Sequence, residues 1–416
     1  MPINSVPVRQ EITAETLRVL LNNCAALKNI GQEHKKYFEE STPIGTTLQI
    51  ICPWKPMGRK GQSFQPEPIV QTTVPLTVSY WRGCDWIYND TDESLFLNMD
   101  KYHEMYSRPA GLQLAQLIEG DLLSYMQVTT PNFVGTAGTL PTTTTPYNQA
   151  QTTLNKLLAP QADRCIIYTS DYNQNLVLAG QSLFNPQAEI SKQYVSGYVG
   201  KYAGFDLYVD ELLPQYTVGT YAGSPVINGA NQSGSSISIR GWNHGSTTLN
   251  PGDRITIQNT YACNPQGEHT GYKNLNFQAV VTQTVSDSSG TLTAQIYPPI
   301  IPSGQFQNCY VSGVPTGQGP ADGATVTVQG SSASTCNTAF AFQKDAFTSV
   351  FVKLHTPSNV ESAVIGGQEL GTNVYLRSLR QWQSSGPYAG YETERMDVIY
   401  GFAAQYADYL SCVIYG

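Results

Sequence analysis

Charge is what this sequence has least of. Asp, Glu, Lys and Arg make up 13% of its 416 residues, against roughly 25% in an ordinary soluble domain. A surface so poor in charge has little electrostatic repulsion to keep copies apart, and it reads as one meant to touch other protein. Cations are the scarcer sign: 23 Lys and Arg against 31 Asp and Glu leave a formal charge of -8. A sequence-reading DNA protein gains affinity by releasing counterions under a basic patch. This balance argues against one and leaves room only for weak, non-specific nucleic-acid contact at local basic spots.

Long apolar runs are missing as well. Nothing approaches the ~18 apolar residues of a membrane span, and the opening "MPINSVPVRQEI" has no apolar signal-peptide core. The expectation is a soluble product made in a cytoplasm, without a membrane partner. Cys24, Cys52, Cys84, Cys165, Cys263, Cys309, Cys336 and Cys412 form no C-x-x-C and no Cys/His cluster at zinc spacing. They are expected to be buried or half-buried free thiols. His34, His103, His244, His269 and His355 are equally scattered, with no H-E-x-x-H. Walker loop, nucleophile elbow and dinucleotide fingerprint are all lacking. "DESLFLNMD" offers carboxylates without the spacing or glycine of a calcium loop, and better fits a helix N-terminus. The expectation is therefore a protein that is not an enzyme, with no catalytic residue, no cofactor and no metal.

What is present is Tyr, Gly, Thr, Gln and Asn, in a chain long enough for two or three domains. Leu17, Leu20, Leu21, Cys24 and Leu27 recur at helical spacing, predicting an amphipathic helix of about five turns that must lie on something else to bury its stripe. Strand-like Thr47 to Cys52 and Ile69 to Tyr80 flank a basic, Gly/Pro-rich segment with Arg59 and Lys60 at its tip, which predicts an extended hairpin. Ser107 is a candidate cap for a long helix with Pro109 in its first turn. Leu112, Ala115, Ile118, Leu122 and Tyr125 form one face of that helix, widened by Leu114, Leu117 and Met126.

From Gly223 to Thr335 the only charged residues are Arg240, Asp253, Arg254, Glu268, Lys273, Asp287 and Asp322. Apolar residues alternate at Ile255/Ile257, Phe277/Ala279/Val281, Leu292/Ala294/Ile296 and Ala324/Val326/Val328. Period two between Gly-rich turns predicts some six to eight antiparallel strands in a small sandwich or barrel. "LNPGDRITI" opens one strand through a turn at Gly252 and Asp253, "SDSSG" makes a hairpin turn, and Pro298 and Pro299 are expected to stop a strand. Past Cys336, "AFAFQKDAFTSVFVKL" reads as strand, short helical turn, strand. "ERMDVIYGF" and "YLSCVIYG" are apolar on both faces, as central strands of a covered sheet are. The whole is an α+β body interrupted by an all-β insertion, without internal repeats or heptads.

The order of these stretches resembles the major capsid (coat) proteins of tailed bacteriophages, the Hong Kong 97-type fold, and in particular the podovirus coat proteins with an extra inserted β-domain. The residues that carry it are "YAGFDLYVDELLP", "LNPGDRITI", "FQAVVTQTVSDSSGTLTAQIYPPI", "AFAFQKDAFTSVFVKLHTP" and "RMDVIYGFAAQYADYLSCVIYG", in that order. The resemblance implies an N-terminal arm over 1–45 and an extended loop hairpin over 46–80. It implies a capsid body of peripheral and axial domains over 81–222 and 336–416, with a spine helix from about Ser107, and a barrel-like inserted domain over 223–335. It further implies self-assembly into pentamers and hexamers of an icosahedral shell enclosing packaged double-stranded DNA, with a scaffolding protein and a portal complex as partners. The place would be the virion capsid, assembled in the host cytoplasm. On that footing Arg59 and Lys60 are candidate inter-subunit contacts, and Glu11 and Glu15 are candidate scaffold- or lumen-facing residues. A secreted or surface β-rich adhesin or glycan-binding module would also explain the Tyr, Thr and Asn content. The missing signal-peptide core and the long mid-chain helix speak against it.

Overall fold

The computed structural model describes residues 8–32, 45–52, 56, 61–64, 66, 69–89, 102–180, 200–264, 275–314, 317–357, 360–366, 374–383, 386–388 and 390–416. The chain is mixed α+β, with many strands and few helices. It divides into two compact units, the first drawn from 1–50, 74–122 and 347–403, the second from 51–73, 123–346 and 404–416. The long helix is Arg108–Thr129.

In the first unit, the strands Thr47–Ile51, Thr73–Asn89, Tyr391–Ala404, Tyr375–Trp382 and Glu361–Gly366 follow one another across a sheet, and Phe347–Phe351 also pairs with Tyr391–Ala404. The β-branched and aromatic content of these segments suits the pleat. Burial alternates along Thr73–Asn89, with Leu76 and Tyr88 inward and Trp81 and Ile87 outward. The helix Val8–Asn22 packs on the strands Glu361–Gly366 and Tyr375–Trp382. Its buried stripe includes Ile12, Leu17 and Leu20, and the chain then makes a short 3-10 turn at Leu27–Asn29 in place of the further helical turns that the leucine spacing predicts.

The long helix departs from its sequence reading in two places. Helical structure begins before Ser107, in a π turn over His103–Ser107. Ser107 is thus inside the helical run, fully buried, with no partner for its hydroxyl among the described residues. The apolar stripe is also rotated: Leu112 is exposed, while Ala110, Leu114, Ala115, Ile118, Leu122, Leu123 and Met126 are buried. Gly111 accounts for the rotation, because a Cβ there would lie 2.7 Å from the Thr16 carbonyl oxygen and 3.2 Å from the Val19 Cβ. The helix Val8–Asn22 approaches at that glycine, one residue round from Leu112.

In the second unit, the strands Phe133–Gly135, Ser411–Tyr415, Thr338–Gln343, Arg164–Tyr168, Phe205–Val209 and Lys201–Tyr202 form a mixed sheet. Ser411–Tyr415 is central, antiparallel to Thr338–Gln343 and parallel to Phe133–Gly135. Both it and Tyr391–Ala404 in the first unit sit between two partners, as their two-sided apolar character predicts. The helices Thr145–Lys156 and Ser170–Gly180 belong to this unit.

The low-charge stretch closes on itself. Val326–Val328 pairs with Arg254–Ala262, which pairs with Asn276–Val281, then Thr291–Ile300, Gly234–Trp242 and Gly223–Ile227 in turn. A bridge between Val226 and Thr325, with the Ile227 N–H donating to the Ala324 oxygen at 2.9 Å, completes the ring. Ile237, Ile239, Ile255, Leu292, Ala294, Phe277 and Val326 fill it. Closure removes the exposed edges that short strands with few charges would otherwise present. Pro298 and Pro299 do not stop a strand: Thr291–Ile300 runs through both. The ladder to Gly234–Trp242 shifts register between Gln295 and Ile300, so the prolines occupy an irregularity where no N–H is demanded of them.

Candidate assembly surfaces

The segment joining Thr47–Ile51 to Thr73–Asn89 carries apolar side chains in solvent. Phe64 is 84% exposed, Ile69 71% and Ile51 60%, and Val70 is exposed as well. A Gly/Pro-punctuated segment packs poorly on itself, so its apolar groups are covered only when something else supplies the surface. Arg59 and Lys60, the tip residues of the sequence reading, lie outside the described residues.

Glu11 is exposed at the first turn of the helix Val8–Asn22, where a carboxylate suits the helix N-terminus. Glu15 is already engaged within the chain. It accepts from Arg18 at 2.9 Å and from Arg108 at 3.2 Å, and the Arg18 hydrogen bond, with that of Arg108, holds its carboxyl below the usual range against partial burial. The charged stretch 33–40 lies outside the described residues. Just before it the chain is pinned by a group the sequence reading passed over. Glu119, fully buried on the long helix, accepts the Ala26 N–H, and its other oxygen accepts the Leu27 N–H at 3.3 Å. These are orphan donors at the start of the 3-10 turn, which has no side-chain cap of its own.

The turn at Gly252 and Asp253 does more than open a strand. Gly252 has φ +99, and a Cβ there would come within 3.0 Å of the Tyr216 ring. This tight, left-handed turn delivers two adjacent, opposite and fully buried charges. Asp253 accepts from the Tyr216 hydroxyl, from the Gly219 N–H at 3.1 Å and from the Asn250 N–H at 2.7 Å. Burial still dominates and raises its carboxyl above the ordinary value. Arg254 turns the other way and donates to the oxygens of Gln127 (3.0 Å), Thr130 (2.9 Å) and Gly252 (3.1 Å) and to the Tyr415 hydroxyl (2.8 Å). Gln127 and Thr130 mark the end of the long helix, where carbonyls lack intrahelical partners and the dipole favours a cation. The first residue of the strand Arg254–Ala262 therefore caps the C-terminal end of the helix Arg108–Thr129. Gln278 adds a second seam: its side-chain amide accepts the Phe133 N–H at 2.9 Å and donates to the Phe133 oxygen at 3.1 Å, imitating a strand partner. Arg254 and Gln278 were not singled out from the sequence. The available signal was an Asp-Arg pair at the head of a strictly alternating strand in a stretch almost free of charge.

On the outer face of the first sheet, Asp397 is buried beneath three donors: Arg377 at 2.5 Å, Arg395 at 2.8 Å and the Trp81 indole N–H at 3.1 Å. Burial pushes its carboxyl up, but the three hydrogen bonds together outweigh that and leave it below the ordinary value. On the inner face Arg82 grips Asp121 of the long helix through two bonds of 2.7 and 2.9 Å, and the Tyr400 hydroxyl donates to the same carboxylate at 2.6 Å.

All eight cysteines are free; seven are buried and Cys84 is partly so. Burial raises the Cys263 and Cys336 thiols to about 11, so both stay protonated at neutral pH. Among the described residues no group of His, Cys, Asp and Glu could hold a metal, and no helix is long and apolar enough to cross a membrane.

No family model matches the chain, and no curated protein matches it. Solved structures do align with it. One from Mycobacterium phage Che8 covers 94% of this chain and 90% of its own at 10% identity, with a TM-score of 0.47. The capsid structure of the cyanophage P-SCSP1u covers 89% and 83% at 11% identity and TM-score 0.40. The asymmetric unit of the bacteriophage PhiM1 mature capsid covers 89% and 82% at 9% identity and TM-score 0.41. Over most of its length the chain is similar to bacteriophage capsid structures.

Proposed function

We propose that this chain is the major capsid protein of a tailed bacteriophage, with the Hong Kong 97-type fold and an inserted β-barrel domain. Copies of it self-assemble into an icosahedral shell around packaged double-stranded DNA. The observation that carries the reading is the exposure of Ile51, Phe64, Ile69 and Val70 in the segment 51–73 on a chain with 13% charged residues. Such a chain has sticky surface and little repulsion, and copies of itself are the cover that is always available.

In this reading 1–45 is the arm, 46–80 the extended loop, and Arg108–Thr129 the spine helix. The domain 223–335 buttresses each subunit and meets neighbours. Heterologous contacts close into pentamers and hexamers. Each contact can be weak, because many act together and later ones form at high effective concentration. The net charge of -8 suits a wall that touches DNA without gripping it, since tight binding would oppose packaging and release. Arg59 and Lys60 contact a neighbouring subunit. Glu11 faces the lumen and a basic scaffolding partner, with Glu15 beside it sharing its charge with Arg18 and Arg108. A portal complex occupies one vertex, and assembly takes place in the host cytoplasm.

Electron microscopy of the purified full chain, alone and with its scaffold, tests the reading. Shells or capsomer-sized rings are expected. A monodisperse monomer at high concentration under both conditions would refute it.

A further inference from the structure

The sequence contains one Asn-Gly step, Asn228-Gly229, and one Asp-Gly step, Asp322-Gly323. The fold lays the two against each other at the seam that closes the β-ring. The Gly323 N–H donates to the Ile227 oxygen at 3.0 Å, and the Gly229 N–H donates to the Asp322 carboxylate at 2.8 Å. Arg240 spans both partners, donating to the other oxygen of Asp322 at 3.1 Å and to the Asn228 side-chain oxygen at 3.4 Å. The Asn228 side-chain amide donates in turn to the Ser238 hydroxyl at 3.3 Å.

An Asn-Gly step is where a chain most readily attacks itself, because glycine turns freely and has no side chain to shield its nitrogen. That nitrogen, once it has given its proton to hydroxide, adds to the asparagine Cγ. The N–Cγ bond forms, the Cγ–Nδ2 bond breaks, and ammonia leaves with a proton from water. Water then opens the five-membered imide at either carbonyl, leaving aspartate or isoaspartate, and nothing is oxidised or reduced.

Two contacts of the clasp act on this reaction in opposite directions. Arg240 points at the Asn228 oxygen on which negative charge would develop, and so makes Cγ a better electrophile. Asp322 holds the very N–H that must be lost, and its charge lies beside a nitrogen that would have to become an anion. A like charge at that distance disfavours the charged form. The Gly229 N–H, with Arg240 behind it, keeps the Asp322 carboxyl below its ordinary value, so that charge is present throughout the neutral range. The side chains of Asp322 and Arg240 are 47% and 45% exposed, which gives water access to the site.

We propose that Asn228 is a deamidation site and that Asp322 holds it closed, so that the seam of the ring carries a chemical weak point guarded by one carboxylate. Isoaspartate would add a backbone atom next to Ile227, whose N–H and oxygen both bond across the seam, to Ala324 and Gly323. Conversion would therefore loosen the closure. The inference does not depend on the assembly reading.

The full chain is incubated in mildly alkaline buffer, both folded and unfolded in guanidinium chloride. Conversion at Asn228 is followed by peptide mass mapping and isoaspartyl methyltransferase labelling. The folded parent is expected to convert at least about tenfold more slowly than the unfolded chain, and folded Asp322→Ala to regain most of that difference. Alanine is used because Asp322→Asn would create a second Asn-Gly step. Hydrogen exchange at Ile239 and Ala279, as slow as in the parent, establishes that the variant is folded. Equal rates in the folded and unfolded parent overturn the proposal, and so does a folded Asp322→Ala that converts no faster than the parent. Should the variant not fold, the parent decides: its Gly229 amide must exchange as slowly as that of Ile227, and exchange at the rate of a free amide overturns the proposal.

Discussion

Arg254 is the bulkiest fully buried side chain among the described residues, and it donates to three backbone oxygens and the Tyr415 hydroxyl while lying 5.4 Å from the Tyr415 ring centre. Arg254→Met keeps most of the volume and abandons the Gln127 and Thr130 oxygens at the helix end. The expected cost is about 3–5 kcal/mol, because stripping a buried polar network of one member leaves the rest unpaired. It would be read as a lower urea midpoint at unchanged slope; a midpoint within error of the parent would remove the capping role. The two buried aspartates respond to pH with opposite signs. Asp397 has a depressed folded value, so it stabilises above the unfolded value near 3.8 and loses that contribution as pH falls through the folded one. Asp397→Asn is therefore expected to cost about 3 kcal/mol at pH 7, with the gap to the parent closing on acidification below pH ~4. Asp253 is raised, so its contribution is complete below the unfolded value and is lost as pH rises through the folded one. For Asp253→Asn the gap should narrow in the other direction, toward neutral pH. Parallel pH–stability curves for parent and variants would contradict both assignments.

At the scale of elements, two glycines in one helix separate propensity from packing. Alanine is worth about 1 kcal/mol over glycine inside a helix. At Gly120 an added Cβ meets nothing within 4 Å, so Gly120→Ala should raise the melting temperature. At Gly111 the same atom would press on the Thr16 carbonyl at 2.7 Å, a backbone group that cannot turn away, and the helix Val8–Asn22 must shift. Overpacking of this kind costs about 1–3 kcal/mol, enough to reverse the sign, so Gly111→Ala should melt lower than the parent. Equal gains at both positions would mean that the helix Val8–Asn22 does not rest there. The long helix itself was legible from its spacing, but its orientation was not. Leu112 has the same hydrophobicity as Leu114, and only the partner lying on Gly111 decides which of the two is covered. The prolines at 298 and 299 teach the same lesson for strands. Local chemistry forbids them a ladder bond, but it cannot say whether the chain ends there or passes through an irregularity.

For the whole molecule, stability and assembly should come apart. Phe64 and Ile69 are so exposed that charging them removes little from the folded chain. The double variant Phe64→Asp/Ile69→Asp should melt within about 2 °C of the parent, since exposed substitutions typically move stability by no more than ~0.5 kcal/mol. It should nevertheless fail to form shells or rings by electron microscopy. Normal particles would show that this apolar strip is not what copies of the chain use to meet.

Period two over 223–335 and period 3.6 over the helices are set by the backbone's own geometry, so class, element order and the low-charge β-stretch could be read from the sequence alone. The scarcity of charge also pointed to a chain that meets other protein. Tertiary structure decided the closure of that stretch into a ring, the burial of Asp253 and Arg254, the use of Arg254 as a helix cap and the pin at Glu119. Each of these joins residues far apart in the chain. Such pairings depend on which surfaces meet, and a pattern of hydrophobicity records only that a surface must be covered, not by what.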